Sequence, residues 1–188
     1  MKKIKNSQKG YTLVELLAVI FILVSVGGII TSILITSLRG SNRVTTVNEV
    51  RQNGNYIIGQ MSKMISYARN FDGVSTDGIN YTTDCTVQIP PSPTPTPEPV
   101  SYSYIKITSF DGGDTVFSCS PNAIASNGAD LIYTANLNVS SCNIYCSQEG
   151  ISGTPVINIQ FTLTKINSGL FVENQTTIPF DTSVVLRN

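Results

Sequence analysis

Hydrophobic residues are concentrated in one run near the start of the chain. From Leu16 to Ile35 the sequence is almost entirely apolar, with Ser25, Thr31 and Ser32 as its polar positions. A helix of about 20 such residues, rising ~1.5 Å per residue, is long enough to cross the hydrocarbon core of a bilayer. The pattern therefore predicts a membrane-spanning helix.

The next segment is amphipathic, because its apolar positions recur every three or four residues while charged and amide side chains fill much of the opposite side. We expect one helix over residues 12–69, apolar on all sides in its first half and striped in its second. Gly27-Gly28 predicts either a soft point in this helix or close packing against a neighbouring helix. The stripe consists of Val44, Val47, Val50, Gly54, Ile57, Ile58, Met61, Met64, Ile65 and Ala68.

The remaining sequence predicts loops and then strands. Residues 70–83 have no periodicity and indicate a loop. The low-complexity stretch at 89–99 alternates proline with polar residues and favours extended polyproline geometry. It is either a variable insertion or a recognition peptide for a polyproline-binding partner. Beyond Val100, period-two alternation predicts strands at 102–110, 115–118, 130–139, 156–165 and 176–186, with turns at 111–114 and 167–169.

A charged motif precedes and enters the apolar run. Lys2, Lys3, Lys5 and Lys9 are followed by Gly10-Tyr11-Thr12-Leu13-Val14-Glu15. A carboxylate at the centre of a membrane helix costs roughly 2.5 to 3.5 kcal/mol, and less near its ends, so Glu15 requires a partner or a function. A secretory signal peptide would place its cleavage site after a shorter apolar segment, and a plain signal anchor would not require Glu15.

This motif resembles the class III signal of type IV prepilins and type II secretion pseudopilins. The resemblance implies that a prepilin peptidase cleaves after Gly10 and methylates the new amine of Tyr11. It also implies an assembly role for Glu15, which becomes mature residue five. Tyr11 stands where the family most often has phenylalanine, and it keeps the aromatic ring.

The resemblance also implies a domain organisation and a fold. We expect a leader at 1–10, a transmembrane assembly helix at 11–38, its amphipathic continuation at 39–69, a loop with the Pro-rich insertion at 70–101, and a β-rich globular head at 102–188. The expected class is α+β, with the second half of the long helix packed on an antiparallel sheet, as in the pilin fold.

The function implied is that of a structural filament subunit. Its expected partners are other pilins or pseudopilins, the prepilin peptidase and N-methyltransferase, an inner-membrane assembly platform and, before assembly, membrane lipid. We expect a single pass through the cytoplasmic membrane with the leader inside, and then a place in a surface or periplasmic filament. Segments 137–139, 156–161 and 182–188 resemble minor pseudopilins of the J and W types. A surface adhesin, a DNA-uptake pilin and a non-polymerising tether are the alternatives.

The composition argues against catalysis and against nucleic-acid binding. Histidine is absent, and with it the commonest general base and metal ligand. We find no Walker loop, no Gly-x-Ser-x-Gly elbow and no Cys-x-x-Cys, so we expect no enzymatic activity, cofactor or metal. Removal of residues 1–10 leaves eight basic against 12 acidic side chains, a net charge of −4. A nucleic-acid footprint is therefore not expected.

The cysteines predict disulfides in an exported domain. Cys85, Cys119, Cys142 and Cys146 allow three complete pairings, of which we considered Cys85 with Cys119 and Cys142 with Cys146. Zinc is the alternative, although the spacing lacks paired Cys-x2-Cys knuckles. Asp111 and Asp114 flank two glycines and indicate a plain turn, with calcium as the alternative. The Asn-x-Ser/Thr pattern occurs at Asn80, Asn138 and Asn174.

Overall fold

The computed structural model describes residues 10–86, 100–132, 136–150, 153–165 and 175–186. The expected Pro-rich stretch at 89–99, the expected turn at 167–169 and Asn174 lie outside these ranges. The described residues form one helix and nine strands, and the strands pair antiparallel. The predicted α+β class, a long N-terminal helix followed by antiparallel sheet, is confirmed. The elements are α1 Leu13–Ser66, β1 Asn70–Ser75, β2 Ser101–Tyr102, β3 Tyr104–Thr108, β4 Asp114–Ser120, β5 Ala123–Ser126, β6 Ala129–Asp130, β7 Leu137–Ser147, β8 Val156–Lys165 and β9 Thr176–Val185.

Helix α1 runs without interruption for 54 residues, through Gly27-Gly28 as well. It ends three residues before the predicted position, where the backbone N–H of Arg69 donates to the carbonyl of Thr108 at 2.8 Å. The chain divides into two compact units, Met1–Asn42 and Arg43–Asn188. All nine strands belong to the second unit.

The strands form two sheets, where the sequence predicted one. Sheet 1 has the order β1-β3-β4-β5-β6, and sheet 2 has the order β2-β7-β8-β9. β1 lies in the segment predicted to be a loop, and a β-bulge explains the error, because the register shifts between Phe71 and Gly73. Gly73 has φ +124, and the extra residue breaks the alternation by which strands are recognised.

A second register shift explains why the strand predicted at 130–139 ends too early. β7 begins only at Leu137 and continues to Ser147, with a register shift between Val139 and Ser141. Before the shift the buried residues are Leu137 and Val139, and after it they are Cys142 and Ile144, so the buried positions change from odd to even numbers. The strict alternation of buried and exposed residues therefore ends at Val139, whereas the strand continues to Ser147.

One hydrophobic core joins the second half of α1 to both sheets. The stripe starts later than predicted, because Val44 is 60% exposed. Each large apolar side chain that is fully buried contributes roughly 1.5 to 3 kcal/mol to the free energy of unfolding. The buried helix positions are Thr46, Val50, Gly54, Ile57, Met61 and Ile65. Fully buried strand residues include Ile105, Ile107 and Phe117 in sheet 1 and Ile144, Ile157 and Leu163 in sheet 2.

Gly54 is a notch in the helix that receives an aromatic ring. A Cβ atom at Gly54 would lie 2.1 Å from Cζ of Phe180, which belongs to β9. The Phe180 ring stacks on Phe161 with centroids 5.1 Å apart. Nearby, the Lys165 ammonium at the end of β8 makes an ion pair with Glu49 of the helix. These contacts fix α1 on sheet 2.

We expect Gly54→Ala to destabilise the protein by about 1 to 3 kcal/mol, because the added methyl group overpacks against Phe180. The intrinsic helix propensity of alanine, worth ~1 kcal/mol, acts in the opposite direction. Urea unfolding of the full-length protein in detergent measures the net effect. Gly59→Ala is the matched control, because nothing lies within 4 Å of a Cβ atom there. Equal stability of the two variants would show that the ring moves aside freely.

Two disulfides are formed, Cys85–Cys146 and Cys119–Cys142, with Cα–Cα distances of 5.3 and 5.4 Å. The pairing that we considered from the sequence is wrong. Cys142 and Cys146 lie four residues apart on the single strand β7, about 13 Å at ~3.3 Å per residue, whereas a disulfide requires roughly 4.4 to 6.8 Å. The Cys119–Cys142 bridge joins sheet 1 to sheet 2, and Cys85–Cys146 attaches the segment after β1 to the end of β7.

The predicted turn at 111–114 is present between β3 and β4. The Asp111 carboxylate accepts the backbone N–H of Gly113 at 3.0 Å, and Gly112 has φ +84. Asp114 pairs with Lys106 at 2.8 Å, and this hydrogen bond raises the pKa of Lys106. Both carboxylates therefore serve the turn and its flanking strands. Among the described residues, no group of three His, Cys, Asp or Glu side chains could hold a metal ion.

A second ordered loop follows β1. The Asp77 carboxylate accepts the backbone N–H groups of Asn80 and Ile79, the Ser75 hydroxyl and the Asn80 side-chain amide. These hydrogen bonds, led by those from the backbone, hold the pKa of Asp77 well below its usual range. Asn80, the first of the Asn-x-Ser/Thr positions, is thus part of a hydrogen-bonded loop, and Asn138 lies in β7.

Candidate processing and assembly site

The segment Gly10–Glu15 is the first described part of the first unit, and its first two residues are exposed. Tyr11 is 85% exposed, and nothing lies within 4 Å of a Cβ atom at Gly10. Both residues precede Leu13, where α1 begins. The Gly10–Tyr11 peptide bond therefore lies in non-helical, accessible backbone, the setting in which chains are most readily cleaved.

Thr12 is the N-cap of the helix. Its side-chain oxygen accepts the backbone N–H of Glu15 at 3.3 Å, and its carbonyl accepts the N–H of Leu16 at 3.2 Å. This bond satisfies one of the N–H groups left without a partner at a helix start. The Thr-x-x-Glu spacing from Thr12 to Glu15 is that of a capping box, and this signal in the sequence could have identified Thr12 as the N-cap.

Glu15 lies in the first turn of α1. The positive end of the helix dipole stabilises a carboxylate there. Within the part of the chain that the structure describes, the Glu15 side chain makes neither an ion pair nor a hydrogen bond. A charged group that begins a membrane-length apolar segment therefore has no partner among the described residues of its own chain.

Three hydroxyl groups in and just after the apolar segment form hydrogen bonds within the helix. Ser25, Thr31 and Thr36 donate to the carbonyl oxygens four residues earlier at 2.8, 2.8 and 2.9 Å. Such back-bonding removes the cost of placing a hydroxyl group in hydrocarbon. These three positions are consequently compatible with an apolar environment.

The helix surface in the first unit is apolar on all sides. Large hydrophobic side chains between Leu13 and Leu38 are each about half exposed or more, and the most apolar 18-residue window of the helix has no buried residue. By length and composition, α1 is able to cross a membrane. This surface requires lipid or the helices of other chains to cover it, consistent with membrane anchoring.

The comparisons with known proteins agree with this geometry. The family model of the prokaryotic N-terminal methylation motif matches residues 5–36, the span that contains Gly10, Tyr11 and Glu15. Neither the curated proteins nor the solved structures contain a match to the chain. The match covers the start of the chain and leaves the J and W subtypes undecided. The chain therefore carries the prokaryotic N-terminal methylation motif, which is the leader signal of type IV pilins and pseudopilins.

Proposed function

We propose that the protein is a structural subunit of a type IV pilus or a type II secretion pseudopilus, and a minor one. The observation that carries this proposal is the Glu15 carboxylate at the start of an exposed apolar helix, four residues after the accessible Gly10–Tyr11 bond and without a partner among the described residues. The resemblance of segments 156–161 and 182–188 to minor pseudopilins supports the choice of a minor subunit.

Cleavage of the leader creates a cationic amine that can pair with the Glu15 carboxylate. Hydrolysis of the Gly10–Tyr11 bond produces a new amine on Tyr11, which remains cationic after addition of one methyl group. The same cut removes four lysines, which otherwise hold the leader on the cytoplasmic side of the membrane. The mature chain then begins with a cation four residues before an anion.

Assembly pairs these two charges between subunits. An isolated charge in an apolar filament core is costly, whereas the Tyr11 amine of one subunit and Glu15 of its neighbour neutralise each other. The pairing fixes the axial register of adjacent helices, because only one offset brings the two groups together. The apolar surface of the first unit is then covered by the helices of other subunits.

This function implies the binding partners, the cellular location and the role of each segment of the chain. The chain is anchored in the cytoplasmic membrane, interacts with an assembly platform and other pilins, and moves into a filament. In this scheme residues 1–10 are the leader, 11–38 the assembly helix, 39–69 its continuation, 70–101 the loop and 102–188 the head. The role is structural, without catalysis.

Intact-mass and N-terminal analysis after co-expression with a prepilin peptidase tests the proposal. We expect a mature chain that starts at Tyr11 and carries one added methyl group. Gly10→Val should remain uncut because the residue before the cleaved bond is changed. Gly28→Val is the control and should be processed normally, because a Cβ atom there also meets nothing within 4 Å. An uncut wild-type chain, or a cut within or beyond the apolar run, would contradict the proposal.

A further inference from the structure

The outer face of sheet 2 carries an open cavity of about 180 Å³. Its polar lining comes from three adjacent strands, because the alternation along each strand that buries Ile159 and Phe161 turns Gln160 outward. The antiparallel register places Asn143 opposite Gln160 and Gln160 opposite Asp181. In the next row, Ser141 lies opposite Thr162 and Thr162 opposite Pro179.

In the rows of residues on either side of this cavity, side chains form hydrogen bonds to side chains of the neighbouring strands. On one side, Thr164 contacts the hydroxyl groups of Ser140 at 2.9 Å and Thr177 at 3.1 Å. On the other side, Asn158 donates its amide to Ser183 at 3.2 Å, while its own Oδ1 has no partner among the described residues. Cross-strand pairs of this kind are common on the solvated face of a sheet.

The cavity rows differ from their neighbours. Within the described residues, the side chains of Ser141, Gln160, Thr162 and Asp181 have no hydrogen-bond partner in the protein. Asn143 accepts one bond, from Ser101 at 2.9 Å, which leaves its amide hydrogens free. Donors and acceptors thus converge on one concave place without satisfying each other.

We infer that this cavity binds a neutral sugar ring of a glycan, held by paired hydrogen bonds to its hydroxyl groups. The planar groups of Asn143 and Gln160 each offer a donor and an acceptor, and the Asp181 carboxylate offers two acceptor oxygens, an arrangement suited to adjacent hydroxyls on one ring. Pro179 supplies an apolar surface for the C–H face of the ring.

Charge and size select this class of ligand. The lining contains one carboxylate and no cation, which disfavours phosphate, sulfate and nucleic acid. The volume is below the roughly 300 to 1,000 Å³ of pockets for drug-sized ligands, so it accommodates one ring. All of these residues belong to the second unit, and the inference does not depend on filament assembly.

Saturation-transfer NMR on the full-length protein in lauryldimethylamine oxide micelles tests this inference, since that detergent has no sugar headgroup. The probes are the methyl glycosides of mannose, glucose, galactose and N-acetylglucosamine. We expect saturation of at least one glycoside, with a dissociation constant in the millimolar range. Asp181→Ala and Gln160→Ala should each weaken binding about ten-fold, since a hydrogen bond to the ligand is lost.

Thr177→Ala is the matched control for Asp181→Ala, because both residues are exposed on the outer face of β9 and Thr177 does not line the cavity. The control should bind within about two-fold of the wild type, since its hydroxyl group contacts Thr164 rather than the ligand. The inference is wrong if none of the four glycosides receives saturation. It is also wrong if the two cavity variants bind as tightly as Thr177→Ala.

Discussion

Glu15→Ala should be cleaved after Gly10 and methylated like the wild type, yet should be lost from filaments. The neighbouring Tyr11 amine would then enter the apolar core without a counter-charge. Removing one partner of a buried ion pair costs about 3 to 5 kcal/mol, so incorporation should fall about 100-fold or more. Quantitative immunoblotting of sheared filaments, with intact-mass analysis of the membrane fraction, measures assembly and processing separately.

Two further variants separate charge pairing from other roles of Glu15. Glu149→Ala removes an exposed carboxylate far along the chain and should assemble normally. Glu15→Gln retains a side chain that a capping box accepts after Thr12, but it removes the charge. If Glu15→Gln assembled like the wild type, helix capping would explain the residue and the charge-pairing mechanism would be wrong. We expect Glu15→Gln to fail as Glu15→Ala does.

The helix was predictable from the sequence because its signals are local. A membrane-length apolar run and a stripe at helical spacing are visible in any window of the chain, and α1 differs from the prediction by only a few residues at its ends. The processing motif was equally visible, since its residues are contiguous and the matched family model spans them.

The sheets were less predictable because their signals are interrupted or non-local. The bulge at Gly73 hid β1, and the register shift after Val139 hid most of β7. The disulfide pairing depends on which strands lie side by side, and the spacing of the cysteines contains no information about that. The row Asn143, Gln160 and Asp181 is likewise assembled only by the registers of β7, β8 and β9.

Removing the two disulfides should have large and unequal effects on stability. The bridges close sequence separations of 61 residues for Cys85–Cys146 and 23 residues for Cys119–Cys142. In the chain-entropy model, these loops correspond to about 4 and about 3 kcal/mol of unfolding free energy. We expect Cys85→Ala/Cys146→Ala to lose the larger amount, and both double variants to unfold at a urea concentration lower by roughly 1 to 2 M.

The Cys119–Cys142 disulfide, which closes the smaller loop, tests how the two sheets are held together. Cys119 is 1% exposed, and its bridge to Cys142 links the two sheets, which also share the core with α1 and a hydrogen bond from the Asn122 N–H to the Val139 carbonyl. Alanine is used instead of serine because a hydroxyl group there would be buried without a partner. Urea unfolding of the full-length protein in micelles, followed by tyrosine fluorescence, gives both midpoint and slope. If Cys119→Ala/Cys142→Ala kept the wild-type midpoint, the helix and its core would hold the sheets together without the covalent link.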